Sequence, residues 1–265
     1  MLTKSHGLGN DYLVADPAEL PFAVTPERVR LLCDRHFGIG SDGLLTFESP
    51  LGVRIFNPDG SEAEKSGNGL RIFARWLYTT GRVTTRQFTI HTRAGGVAAE
   101  VHDGPDITLD MGRATFRADL SELVVANQTL QVTALSVGNP HCVVFRGALD
   151  VTELHQLGPL IEHHPAFPNR TNVQFVHALD QANLELLIWE RGAGETQASG
   201  SSSCAAVAAA HRAGFVESDV TAHMPGGELH IRIDPSGSLW LRGPVEEVAT
   251  VKLSADLVRR LQALP

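Results

Sequence analysis

One pattern occurs twice in this chain, and it limits the available folds more than any other feature. Ser66-Gly67 and Ser199-Gly200 each open a run that ends in a glycine fifteen residues past the serine, Gly81 and Gly214. A polar residue stands nine positions before each serine, Asn57 in the first case and Glu190 in the second. Glu64 and Glu195 lie nearby, and a Gly-Asn pair comes earlier in each half: Asn10 is 56 residues before Ser66, and Asn139 is 60 before Ser199. Each half therefore reads as Gly-Asn at a loop, a strand ending in a polar residue, and a Ser-Gly turn into a capped helix. A repeat of this length implies two domains of one design. The 265 residues suit two domains of ordinary size. The expected division is 1–117 and 118–249.

Strand-like runs dominate the rest. LLTFES (44–49), VRIFN (53–57), QFTIHT (87–92), DITLDM (106–111), LQVTALSV (130–137), HCVVF (141–145), NVQFVHAL (172–179) and LELLIWE (184–190) are rich in β-branched and large apolar residues. ELHIRI (228–233) and SLWLRG (238–243) flank Asp234-Pro235-Ser236-Gly237 and predict a hairpin. Helices are fewer. Thr25-Pro26 predicts a cap and first turn for ERVRLLCDRHF, and Ser254 predicts a cap for the last helix. LRIFARWLY (70–78) and CAAVAAAHRA (204–213) complete the set. Strands in series with scattered helices predict an α+β fold.

Composition excludes several functions. With a net charge of -8 and no Lys/Arg cluster, the chain is not expected to bind nucleic acid. No apolar run is long enough to span a membrane, and MLTKSHGLGNDY lacks the apolar core of a signal peptide. Cys33, Cys142 and Cys204 are odd in number and far apart, which fits a reducing compartment and no structural zinc. The expectation is a cytoplasmic protein that uses no metal. Gly38-Ile39-Gly40-Ser41-Asp42-Gly43 matches a dinucleotide fingerprint in letters, but it follows a helix and precedes a strand, so a tight loop is expected. His163-His164 lacks metal-ligand spacing.

The repeated turn has a chemical meaning. A Ser-Gly step at a helix start presents unpaired backbone N–H groups and the positive end of the helix dipole, which suit a carboxylate. Asn10, Asn57, Asn139, Asn172, Glu190 and Arg191 are the polar residues tied to the repeat. An arginine fork for a carboxylate, with Glu and amide oxygens for an ammonium, suits a small zwitterion. If each half brings one serine to the same carbon, one can remove a proton and the other return it, which inverts a stereocentre.

The sequence resembles the diaminopimelate epimerase family over essentially its whole length. The matching stretches are HGLGNDYLV (6–14), RHFGIGSDGLL (35–45), FNPDGSEAEKSGNGLRIFARWL (56–77), VGNPHCVVF (137–145), NRTNVQFV (169–176), ERGAGETQASGSSSCAA (190–206) and GPVEEV (243–248). The resemblance implies two pseudo-symmetric domains, each a β-sheet wrapped around a central helix, with 250–265 returning to the first. It implies conversion of LL- to meso-diaminopimelate without a cofactor, in the supply of lysine and peptidoglycan, by an often dimeric enzyme. Asn10, Asn57, Asn139 and Asn172 become substrate ligands, and Gly67 and Asn68 lie beside the first acid–base residue. Glu190 and Arg191 bind substrate, while Gly200 and Ser201 cradle its α-carboxylate. His141 and Glu190 support the proton transfer.

The chain departs from the family at the acid–base positions, where the resemblance implies cysteine and Ser66 and Ser199 stand instead. Gly43 replaces a common glutamine and Ser202 a common glycine. A thiol is drawn to thiolate at a helix N-terminus, whereas an alcohol is a far weaker acid and needs a neighbouring base. Three outcomes stay open: an epimerase in which His141 relays to Ser66 and Glu190 to Ser199; an isomerase or lyase acting on another small amino or carboxylic acid; or a substrate-binding relative or Cys-to-Ser variant of low activity.

Overall fold

A computed structural model describes residues 1–265. The chain forms two compact units, Met1–Leu109 with Gly243–Pro265, and Asp110–Arg242. Both crossings fall inside strands, whereas the sequence reading places them at 117/118 and 249/250.

In chain order the first unit holds β1 (Leu2–Gly7), β2 (Asn10–Ala15), α1 (Pro26–Cys33), β3 (Leu44–Glu48), β4 (Gly52–Phe56), β5 (Glu62–Ala63), α2 (Gly67–Thr79), β6 (Gln87–Thr92), β7 (Gly95–Val101) and the start of β8 (Asp106–Arg113). The second holds β9 (Thr115–Phe116), the hairpin β10 (Glu122–Val125) and β11 (Gln128–Gln131), and β12 (Thr133–Ser136). It continues with β13 (Pro140–Phe145), α3 (Val151–Glu162), β14 (Asn172–Asp180), β15 (Asn183–Glu190), β16 (Gly194–Thr196), α4 (Gly200–Arg212), β17 (Asp219–Met224), β18 (Gly227–Ile233) and most of β19 (Ser238–Pro244). The chain then returns to the first unit as β20 (Glu246–Val251) and α5 (Ala255–Ala263).

The two units share one topology. In the first, β1–β2 is antiparallel, β2–β3 parallel, β3–β4 and β4–β5 antiparallel, β4–β6 parallel and β6–β7 antiparallel. In the second, β12–β13, β13–β14, β14–β15, β15–β16, β15–β17 and β17–β18 repeat that series in the same senses. The edge partner also corresponds, since β20 adds antiparallel to β1 and β9 adds antiparallel to β12.

Each unit packs around its own helix. In α2, Leu70, Ile72, Phe73 and Leu77 are no more than 1% exposed, and even Arg71 is fully buried. Each such apolar side chain contributes about 1.5–3 kcal/mol of transfer free energy. In α4, Ala205, Ala206, Ala209 and Ala210 are fully buried, and the helix packs on β12, β13, β14, β15, β17 and β18. A helix buried on all sides is a core element, not a surface one. The outer helices start where their caps lie. Thr25 Oγ1 accepts from Arg28 N before α1, and Ser254 Oγ accepts from Leu257 N before α5. No helix is long and apolar enough to cross a membrane.

The sequence reading omits several strands, among them β1, β2, β7, β17 and β20, and two further elements differ from it. LQVTALSV is two strands, because the chain changes partners at Val132, whose N–H bonds Ser121 O. The α3 helix is an addition; its Asp150 cap accepts from Thr152 N at 2.7 Å.

Candidate active site

In the first unit the site is built on the start of α2. Ser66 is the N-cap, in extended backbone (φ -140°, ψ 119°), and its Oγ accepts from Gly69 N at 3.1 Å. The same oxygen shares a 3.2 Å hydrogen bond with the Tyr12 hydroxyl, brought there by β2. Asn68, one turn-position on, donates from Nδ2 to Asn10 Oδ1 at 3.2 Å, and Asn10 Nδ2 donates to Asp42 at 3.0 Å. Asp42 is fixed in turn by Asp11 N and by Arg35. Arg35 and Lys4 both reach Asp11. Burial alone would push the Asp11 carboxyl up, but those two cations outweigh it and hold it below the usual carboxylate range. The structure thus joins Asn10 to Asn68, on the same helix start as Ser66. Asn57 is engaged elsewhere, donating to Ser61 Oγ at 2.9 Å within its own turn.

In the second unit the corresponding start belongs to α4. Ser199 is again the N-cap with nearly the same backbone (φ -144°, ψ 123°) and is 3% exposed, yet its side chain makes no capping bond. Its carbonyl accepts from the Ser203 hydroxyl at 2.8 Å. Ser201 Oγ accepts from Asn139 Nδ2 at 3.4 Å, and Asn139 Oδ1 lies 2.9 Å from His141 Nε2. Because that amide oxygen can only accept, the hydrogen-bond network assigns the imidazole proton to Nε2. Nδ1 then accepts from Gln174 Nε2 at 3.0 Å, which also donates to Ser202 Oγ at 3.0 Å.

His141 is fully buried. Burial, with the nearby Arg191 charge adding to it and the Gln174 bond only partly opposing, lowers its pKa to about 3. The ring is neutral at physiological pH, with both nitrogens engaged. Asn172, paired across the parallel β13–β14 ladder with His141, donates to Pro140 O and accepts from Arg191 N at 3.0 Å. Arg191 and Glu190 follow at the end of β15, where Glu190 is half-buried and Arg191 exposed.

Three further residues shape these sites. Tyr12 could have been found through the repeat, since it stands two after Asn10 as His141 stands two after Asn139. Gln174 shares a strand face with Asn172, at spacing two. Glu162, 3% exposed at the end of α3, accepts from Trp189 Nε1 and Gly192 N at 2.8 Å each and from Arg170 at 3.3 Å. It fastens the turn that carries Glu190 and Arg191, and no sequence spacing announces it.

The cysteines offer no competing chemistry. All three are buried. Burial raises the Cys33 thiol and pushes Cys142 up to about 12, away from the reactive thiolate.

Comparison with known proteins gives a single direction. A family model described as diaminopimelate epimerase matches residues 2–117 and 133–248. The chain is 42% identical over 272 aligned positions to "Diaminopimelate epimerase 2" of Nostoc sp., covering 96% of this chain and 95% of that protein. It is 40% identical to the diaminopimelate epimerase of Pelotomaculum thermopropionicum, covering 93% and 96%. Among solved structures, a probable proline racemase from Agrobacterium radiobacter superposes with a TM-score of 0.72 at 15% identity, covering 96% of this chain and 93% of that one, a likeness of fold.

Proposed function

The chain belongs to the diaminopimelate epimerase family, and we propose that it interconverts LL- and meso-diaminopimelate by two-base proton transfer, with Ser66 and Ser199 as the acid–base groups. It is an isomerase of the epimerase type. The observation that carries the assignment of the serines is their equivalence. Each is the N-cap of the buried helix in one of two units of identical topology. Backbone N–H groups and a helix dipole at each serine favour negative charge on oxygen or on a bound carboxylate.

The remaining roles follow from chemistry. Gly67 and Asn68 on one helix start, and Gly200 and Ser201 on the other, offer amides and hydroxyls to a substrate carboxylate. Asn10, Asn57, Asn139 and Asn172 offer amide groups to the zwitterion's two ends, and Arg191 its guanidinium. Glu190 supports proton transfer as a half-buried carboxylate. His141, neutral and donating to Asn139, supports it by holding that amide in one orientation.

The test is incubation with LL-diaminopimelate in heavy water. Deuterium should enter at the α-carbon as the meso isomer forms, and Ser66→Ala and Ser199→Ala should each abolish the conversion. Absence of exchange above buffer in the wild-type protein would overturn this reading.

A further inference from the structure

We propose that Tyr12 is the positioning residue through which Ser66 exchanges its proton. The inference rests on the reading of Ser66 as an acid–base group. An alcohol at a helix N-terminus is a poor acid even when two donors point at it, whereas an ordinary phenol has a pKa of about 10. The Tyr12 hydroxyl lies 3.2 Å from Ser66 Oγ, on a side chain only 7% exposed. Gly69 N occupies a second position on the same oxygen, at 3.1 Å. With the Tyr12 hydroxyl as donor in the relay proposed, Ser66 keeps its own hydrogen to offer elsewhere.

Two further observations converge on the same residue. The first is the space reserved for its ring. A Cβ added at Gly43 would lie 2.6 Å from Tyr12 Cε1 and 2.5 Å from Phe56 O, so no larger residue fits there without moving the ring or a strand. The second is the repeat. Tyr12 and His141 occupy one position of the common topology, the third residue of β2 and the second of β13, each two places after the turn asparagine. Both units therefore set a proton-holding side chain at this point. Only in the first does it bond the capping serine.

When Ser66 protonates the substrate carbanion, its O–H bond breaks and a C–H bond forms at the α-carbon. The Tyr12 O–H bond breaks as a new Ser66 O–H bond forms, and the negative charge passes from carbon to the phenolate oxygen. Abstraction runs through the same bonds in reverse, starting from the phenolate.

The experiment compares Tyr12→Phe in the Ser66 and Ser66→Cys backgrounds, measuring kcat, KM and α-deuterium entry with both LL- and meso-diaminopimelate. In the Ser66 background kcat should fall roughly tenfold or more with little change in KM, and its pH profile should lose the phenol limb. In the Ser66→Cys background the same change should cost little, because a thiol ionises unaided. Equal losses in both backgrounds, or none in either, would overturn the relay and leave Ser66 in place. No exchange by the wild-type protein would overturn the parent reading and the relay with it. A second measurement does not depend on turnover or on the fold of Tyr12→Phe. The chain has two tyrosines, so Tyr78→Phe leaves Tyr12 as the single phenol for absorbance titration. Adding Ser66→Ala should raise its midpoint, because the serine hydroxyl is lost as a donor to the phenolate; an unchanged midpoint overturns the coupling.

Discussion

Acidification should place a stability cost on the second unit through one residue, His141. In the unfolded chain its imidazole titrates near the ordinary 6.5, whereas burial holds it at about 3 in the folded protein. Between those values the unfolded state binds a proton that the folded state refuses, so stability falls as the pH drops. Above pH 6.5 the contribution is flat, and below about 3 both states are protonated and the loss is complete. Each pH unit inside the window is worth about 1.4 kcal/mol, which makes the cost about 2 kcal/mol at pH 5. That is a large part of an ordinary domain's net stability. Urea unfolding at pH 7 and pH 5 on the wild-type protein and on His141→Gln reads the effect as a difference of differences, which cancels the other eleven histidines of the twelve. The variant should start less stable, having lost the ring's fit between Asn139 and Gln174, but lose about 2 kcal/mol less on acidification. Equal losses in the two proteins, or an imidazole resonance of His141 moving between pH 7 and pH 5, would show that the folded ring takes up its proton near the ordinary pKa.

Two other substitutions probe the supports of the site. Gly43→Ala puts a methyl group 2.5 Å from Phe56 O and 2.6 Å from the Tyr12 ring, and should destabilise the first unit by about 1–3 kcal/mol in urea unfolding; an unchanged midpoint would show that the ring has room to move. Glu162→Ala leaves the Trp189 and Gly192 donors and the Arg170 cation without their carboxylate. It should cost about 1–3 kcal/mol for donors left unpaired, since the half-exposed Arg170 keeps its solvation, with Glu162→Gln recovering part of the loss by retaining an acceptor; a cost below about 0.5 kcal/mol would deny it that anchoring role.

The repeat and most regular elements were legible because they depend on local chemistry. The Thr25 and Ser254 caps, the Asp234–Gly237 turn and the Ser-Gly starts of the two central helices are written in a few adjacent residues. Part of what was not legible depends on partners far away in sequence. The α3 segment contains Gly158-Pro159, which reads as a break, but a Cβ at Gly158 would lie 2.9 Å from the Trp189 ring. The glycine there serves packing against β15 and not a turn. Val132 splits an apparently continuous run because the strands on its two sides pair with different neighbours. Glu162 resembles any helix-end acid until Trp189 and Gly192 are seen to converge on it. The local half of the site, Ser66 with Gly67 and Asn68 and Ser199 with Gly200 and Ser201, was visible as motif. The bonds from Asn68 to Asn10 and from Gln174 to His141 span 58 and 33 residues and were not.

The duplicated topology separates what the fold requires from what the chemistry requires. Where matched positions carry the same kind of residue, the shared topology places it identically in both units. A serine cap followed by glycine starts both central helices, and a Gly-Asn turn joins both leading strand pairs. Where matched positions differ, the shared topology explains nothing, and another demand must set the choice. Ser66 Oγ receives a backbone N–H and bonds a phenol, while Ser199 makes no cap bond at all. Tyr12 is turned onto its serine, while His141 is turned onto Asn139 and Gln174. Bonds received by an oxygen stabilise its anion, and Ser66 Oγ has two bonds that Ser199 Oγ lacks. An epimerase needs at each turnover one group that takes a proton and one that gives it. On the proposed assignment each serine takes the proton in one direction and gives it in the other, so any difference between the two directions comes from the surroundings of the two serines and not from the serines themselves.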